Sequence, residues 1–131
     1  MRSIAQVTLV VDDYDRAIAW FTSVLGFELV DDKPLSDTKR WVVVRPKGHA
    51  GAALLLAKAA NAKQSARIGH QTGGRVAFFL ETDDFAEDHA TLVEKGVSFE
   101  EAPREEAYGR VAVFTDPWGN RWDLLQSSTN S

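Results

Sequence analysis

Val10-Val11-Asp12-Asp13-Tyr14-Asp15-Arg16-Ala17 returns as Glu81-Thr82-Asp83-Asp84-Phe85-Ala86-Glu87-Asp88, with Asp83 standing 71 positions after Asp12. In each copy an apolar, strand-like stretch runs into a pair of aspartates and an aromatic residue at a helix start. The helices end at Leu25-Gly26-Phe27 and Lys95-Gly96-Val97, so the second is shorter by one residue. Copies of about 55 to 65 residues are too long for solenoid repeats, and two are too few for a propeller. Two such units are expected to face one another, with a ligand in the cleft between them.

Working outward, Ile4 to Val11 reads as a strand, with Val7, Leu9 and Val11 on one face and Gln6, Thr8 and Val10 on the other. Asp12 is expected to cap the first helix, whose buried stripe is Tyr14, Ala17, Ile18, Phe21, Val24 and Leu25. Gly26 suits a left-handed helix end. Strands follow from Phe27, over Arg40 to Arg45 and over Ala52 to Ala57, the last two around a Pro46-Lys47-Gly48-His49 turn. Residues 58–74 form a long polar connection. The second module repeats the plan: strand Arg75 to Thr82, helix Asp84 to Lys95 capped by Asp83, strand Ser98 to Glu101. Strands Gly109 to Thr115 and Arg121 to Gln126 then flank the turn Asp116-Pro117-Trp118-Gly119-Asn120. The expectation is an α+β fold: two tandem βαβββ modules, about 4–57 and about 75–126, in an open, cupped, eight-stranded mixed sheet. Together they make a single domain over 1–131.

The 131 residues suffice for a real core, at 44% hydrophobic and 26% charged. A net charge of −4 with no basic run argues against nucleic acid or an anionic membrane as partner. The absence of cysteine excludes disulfides, thiolate metal sites and Cys nucleophiles, and suits a cytoplasmic protein. No apolar stretch approaches the roughly 20 residues that span a bilayer.

The β-α-β-β-β order, the Val11-Asp12-Asp13-Tyr14-Asp15-Arg16-Ala17-Ile18-Ala19-Trp20-Phe21 and Leu25-Gly26-Phe27-Glu28-Leu29 segments, and the Asp116-Pro117-Trp118-Gly119-Asn120 ending resemble the vicinal oxygen chelate superfamily. This is the glyoxalase, bleomycin-resistance and extradiol-dioxygenase group, and the resemblance covers residues 4–126. Its metal-dependent members take one ligand from the first and one from the last strand of each module. Carried over, these positions fall on Gln6, on Ala77, within Leu54-Leu55-Leu56, and on Asp123. Two of the four are apolar, whereas a hard divalent ion wants several oxygen or imidazole donors. The resemblance therefore implies a metal-free protein that binds a small organic molecule in an apolar cleft, with no cofactor. The alternative it leaves open is a divalent-metal lyase, isomerase or dioxygenase of the glyoxalase type. In that case Asp123 and Gln6 act as base and electrophile, or hold a metal with help from His70. It also implies a homodimer, since sheet edges need covering.

Each candidate has a plain structural alternative. Gln6 is either a buried amide satisfied by a neighbouring strand or a ligand-facing hydrogen bonder. Asp123 is either paired with Arg75 or Arg110 or faces a ligand, because a carboxylate there needs a partner. Phe79, Trp41 and Tyr108 are expected to line or border the cup beside Ala77, and Arg75 and Arg110 to complement an anionic group on the ligand. His89 lies on the edge of the second helix's apolar stripe and reads as structural, His49 as a solvated turn residue, and His70 as a loop residue with acid–base potential.

Overall fold

The computed structural model describes residues 1–48 and 51–128, and the turn residue His49 falls outside that set. The chain divides into two compact units, Met1–Ile68 and Gly69–Ser131. The boundary falls inside the 58–74 stretch.

The first unit comprises β1 (Gln6–Val11), α1 (Tyr14–Ser23), β2 (Glu28–Pro34), β3 (Arg40–Arg45), β4 (Ala53–Lys58) and the short α2 (Ala62–Ser65). Its sheet order is β1-β4-β3-β2, with β1 and β4 parallel and the other pairs antiparallel. The second unit comprises β5 (Val76–Glu81), α3 (Phe85–Glu94), β6 (Ser98–Phe99), β7 (Arg104–Glu106), β8 (Gly109–Thr115) and β9 (Arg121–Ser127). Its order is β5-β9-β8-β6, with β7 also on β8 and the parallel pair β5–β9. The α+β class and the doubled βαβββ plan are both present. The strands form two sheets, of four and five, rather than one of eight. The added strand, β7, turns back onto the start of β8 as a short hairpin, and its own stretch, residues 102–108, has no apolar alternation to announce it.

The second aspartate of each pair, not the first, caps the helix. Asp13 accepts the Arg16 N–H at 2.7 Å and Asp84 accepts the Glu87 N–H at 3.2 Å. A capping carboxylate must reach an amide three residues ahead, and this places Tyr14 and Phe85 at the first helical position. Asp12 pairs instead with Arg16 at 2.8 Å, while the Asp83 carbonyl accepts the Gln126 amide at 3.0 Å. Gln126 also accepts the Phe85 N–H at 2.9 Å, tying the start of α3 to β9.

Period two decides the two faces of each sheet. On the helix side of the first sheet lie Leu9, Val11, Val42, Val44 and Leu56, all fully buried with Ala17 and Phe21 of α1. On the helix side of the second, Trp122 meets Phe78 at 4.6 Å and Phe114 at 5.7 Å between ring centroids. His89 joins that layer, 4.3 Å from the ring of Phe99 and 5.7 Å from that of Phe85, as a structural residue would.

Both helices close through a left-handed glycine. Gly26 has φ +70° and Gly96 φ +86°, followed by Phe27 N–H to Phe21 O and Val97 N–H to Leu92 O bonds, each of 2.9 Å. No atom would collide with an added Cβ at either position, so only the backbone conformation resists it. Gly26→Ala and Gly96→Ala are each expected to cost on the order of 1 kcal/mol in urea melts. Neutrality at both would show that the glycines do not constrain the helix ends.

Candidate functional site

The helix-free face of the second sheet carries the most unusual group in the chain. Trp122 and Leu124 of β9 point toward α3, so Asp123 between them points the other way. Its register partners are Phe79 on β5 and Val113 on β8, and cross-strand partners share a face. Asp123 is only 8% exposed, and its Oδ1 is buried with no hydrogen-bond partner among the described residues. Burial pushes its carboxyl above the usual carboxylate range, with Arg104 and Arg121 opposing the shift.

Neither of these arginines pairs with Asp123, because acidic neighbours hold both. Arg121 makes a two-pronged contact with Glu100 at 2.8 and 2.9 Å and donates to the Gly74 carbonyl at 3.1 Å. Arg104 holds Glu101 at 2.6 Å and also contacts Glu106. The partners expected for Asp123 lie elsewhere. Arg110 precedes Val111 on β8, and the pleat turns it to the helix side, where its guanidinium stands 4.8 Å over the Phe85 ring and pairs with Glu105 at 3.2 Å. Arg75 is exposed just ahead of β5, its carbonyl accepting the Thr72 hydroxyl at 2.6 Å.

The remaining candidates of this unit are dispersed. Between Val76 and Phe78 the pairing of β5 with β9 slips by one residue, leaving Ala77 at a bulge. That slip sets Phe79 opposite Asp123. Tyr108 is exposed in the tight turn from β7 to β8, its carbonyl accepting the Ser128 N–H at 3.1 Å. His70 is exposed in a turn after Gly69.

In the first unit, Gln6 pairs with Ala53 and Trp41 with Lys33, both half-buried on the face opposite α1. The register equivalent of the Phe79–Asp123 pair is Thr8–Leu55, so an apolar side chain stands where the second unit has its carboxylate. Among the described residues, no three His, Asp or Glu side chains gather as a metal site would require.

Trp118-Gly119-Asn120 forms a loop organised by Asp116. Asp116 Oδ1 accepts the N–H groups of Trp118, Gly119 and Asn120 at 3.0, 3.0 and 2.9 Å. Its Oδ2 accepts from the Asn120 amide at 2.8 Å and the Trp122 indole at 3.2 Å. Burial pushes this carboxyl up and the donors oppose that. The motif thus anchors the start of β9 and presents Asp123. Val113 and Arg104 escape the sequence reading. Alternation along β8 was enough to find Val113, but nothing local marks Arg104.

The sequence model of the Glyoxalase/Bleomycin resistance protein/Dioxygenase superfamily matches residues 3–124. An uncharacterized protein of Shewanella frigidimarina is 48% identical over 126 residues, covering 95% of this chain and 93% of that one. The crystal structure of TnmS3, an antibiotic binding protein from a Streptomyces species, superposes with a TM-score of 0.78 at 31% identity, covering 98% of each chain. That of UcmS2 superposes with a TM-score of 0.82 at 28% identity, covering 100% of each.

Proposed function

We propose, from the premise that the chain belongs to the Glyoxalase/Bleomycin resistance protein/Dioxygenase superfamily, that it binds a small organic molecule without a metal ion. The observation that carries this is the helix-free face around Asp123. One unpartnered carboxylate there sits among Phe79, Val113 and Leu125. Apolar walls with few placed polar groups are what an organic ligand needs. The residues present do not fit a divalent ion. Asp123 is flanked in register by Phe79 and Val113, and Gln6 by Ala53, so each unit brings at most one donor to these positions. Such an ion wants several oxygen or nitrogen ligands. The likeness to TnmS3, described as an antibiotic binding protein, supports the same reading.

The test is titration of the protein, before and after chelator treatment, with bleomycin and a panel of aromatic antibiotics, followed by tryptophan fluorescence. Saturable binding unchanged by chelator is expected. Stoichiometric metal in protein purified without chelator, together with binding that the chelator abolishes, would sink the proposal in favour of metal-dependent chemistry.

We further propose a homodimer. Leu29 and Val30 on the terminal strand β2, and Leu35 just beyond it, are exposed, and apolar edge strands need covering. Sedimentation at micromolar concentration should give a dimer; a single species near 14.5 kDa would count against it.

A further inference from the structure

Asp123 is more than nine-tenths buried, yet its charge has no counterpart among the described residues. The cations nearest in effect, Arg104 and Arg121, are held by Glu101, Glu106 and Glu100. Glu101 and Glu100 offset part of the attraction that Arg104 and Arg121 exert on the Asp123 carboxylate. Beside the carboxylate, its register partner Phe79 is 64% exposed, an aromatic ring left in solvent on the edge strand β5. Of the two cations expected to receive an anionic ligand group, Arg110 is on the other face over Phe85 and Arg75 is exposed just ahead of β5.

A buried acceptor without a donor, next to an open aromatic face, is complementary to a ligand that supplies the donor. A cationic donor gains twice, from the carboxylate and from the negative face of the ring. An anionic ligand meets repulsion and leaves the buried oxygen unsatisfied. We infer that, on the binding face proposed above, Asp123 selects aromatic ligands bearing a cationic or hydrogen-bond-donating group, an amine ahead of an alcohol and either ahead of a carboxylate. This inference rests on that face binding organic molecules at all.

The experiment titrates the whole chain with four probes of one shape: naphthylmethylamine, naphthylmethanol, naphthoate and methylnaphthalene, read by NMR line shifts. The amine should bind about tenfold or more tightly than naphthoate, the size of one charge-assisted hydrogen bond, with the alcohol between them. In Asp123→Asn the ratio of amine to methylnaphthalene affinity should fall to near one, and Asp123→Leu should level it in the same way. Equal amine and naphthoate affinities in the wild type, or a ratio that survives both substitutions, overturns this inference while leaving organic-molecule binding intact. Failure of all four probes to bind the wild type overturns both. A dimer that Asp123→Lys dissociates would then assign the face to a second copy of the chain.

Discussion

Asp116→Ala is expected to destabilise the protein by roughly 4 kcal/mol, because five donors converge on one buried carboxylate and alanine removes that acceptor, although the Gly119 N–H keeps its bond to the Asp116 carbonyl. Three are consecutive backbone amides, and the others are the Asn120 amide and the Trp122 indole. Asn120 and Trp122 are themselves buried, so water reaches them poorly. Each buried donor without an acceptor costs about 1–3 kcal/mol, and local relaxation recovers part of the sum. Asp116→Asn should cost less, about 2 kcal/mol. Its amide oxygen still accepts from the backbone, while its NH₂ confronts the two side-chain donors. Denaturant melts that rank alanine worst, asparagine intermediate and wild type best would bear this out. Equal stability of all three would mean the loop closes without the carboxylate.

Asp123→Leu is expected to act in the opposite direction, raising stability by roughly 1–2 kcal/mol near neutral pH. The first unit already places Leu55 at the equivalent register position. A buried charge without a partner is usually less stable than a well-packed apolar side chain. Its dependence on pH follows from linkage. Burial raises the folded-state pKa of Asp123 above its unfolded value, so the fold binds the proton more tightly than the unfolded chain does. The penalty of the ionised form is therefore present above the folded-state pKa and fades as pH falls through it. The advantage of the leucine variant should be largest near pH 7 and shrink toward about pH 4, the ordinary carboxylate range. Thermal melts at both values check this. A variant less stable than wild type at neutral pH would mean that Asp123 has a stabilising partner after all.

The two substitutions separate shape from recognition. Asp116 and Asp123 stand seven residues apart around one turn, both buried and both aspartate. One is saturated with donors and holds the turn; the other has none on Oδ1 and faces away from the helix. Their side chains are alike, and only their surroundings assign them to stability or to binding.

From the sequence alone came the doubled βαβββ plan, the helix ends at Gly26 and Gly96, the buried stripe through Tyr14, Ala17 and Phe21, and the structural character of His89. Each rests on interactions spanning a few residues: a period, a cap within reach of three amides, a glycine free to take positive φ. The superfamily resemblance, which puts a last-strand ligand position at Asp123, also singled it out. Tertiary structure decided what Asp123 meets. The slip at Ala77 set Phe79 beside it, and the pleat of β8 carried Arg110 to the opposite face. Arg104 entered from a hairpin with no apolar signature and is held by Glu101 and Glu106. These outcomes depend on register between strands more than 40 residues apart, such as Phe79 on β5 and Asp123 on β9. A shift of one residue reverses every side chain's face, and no local pattern of residues encodes it.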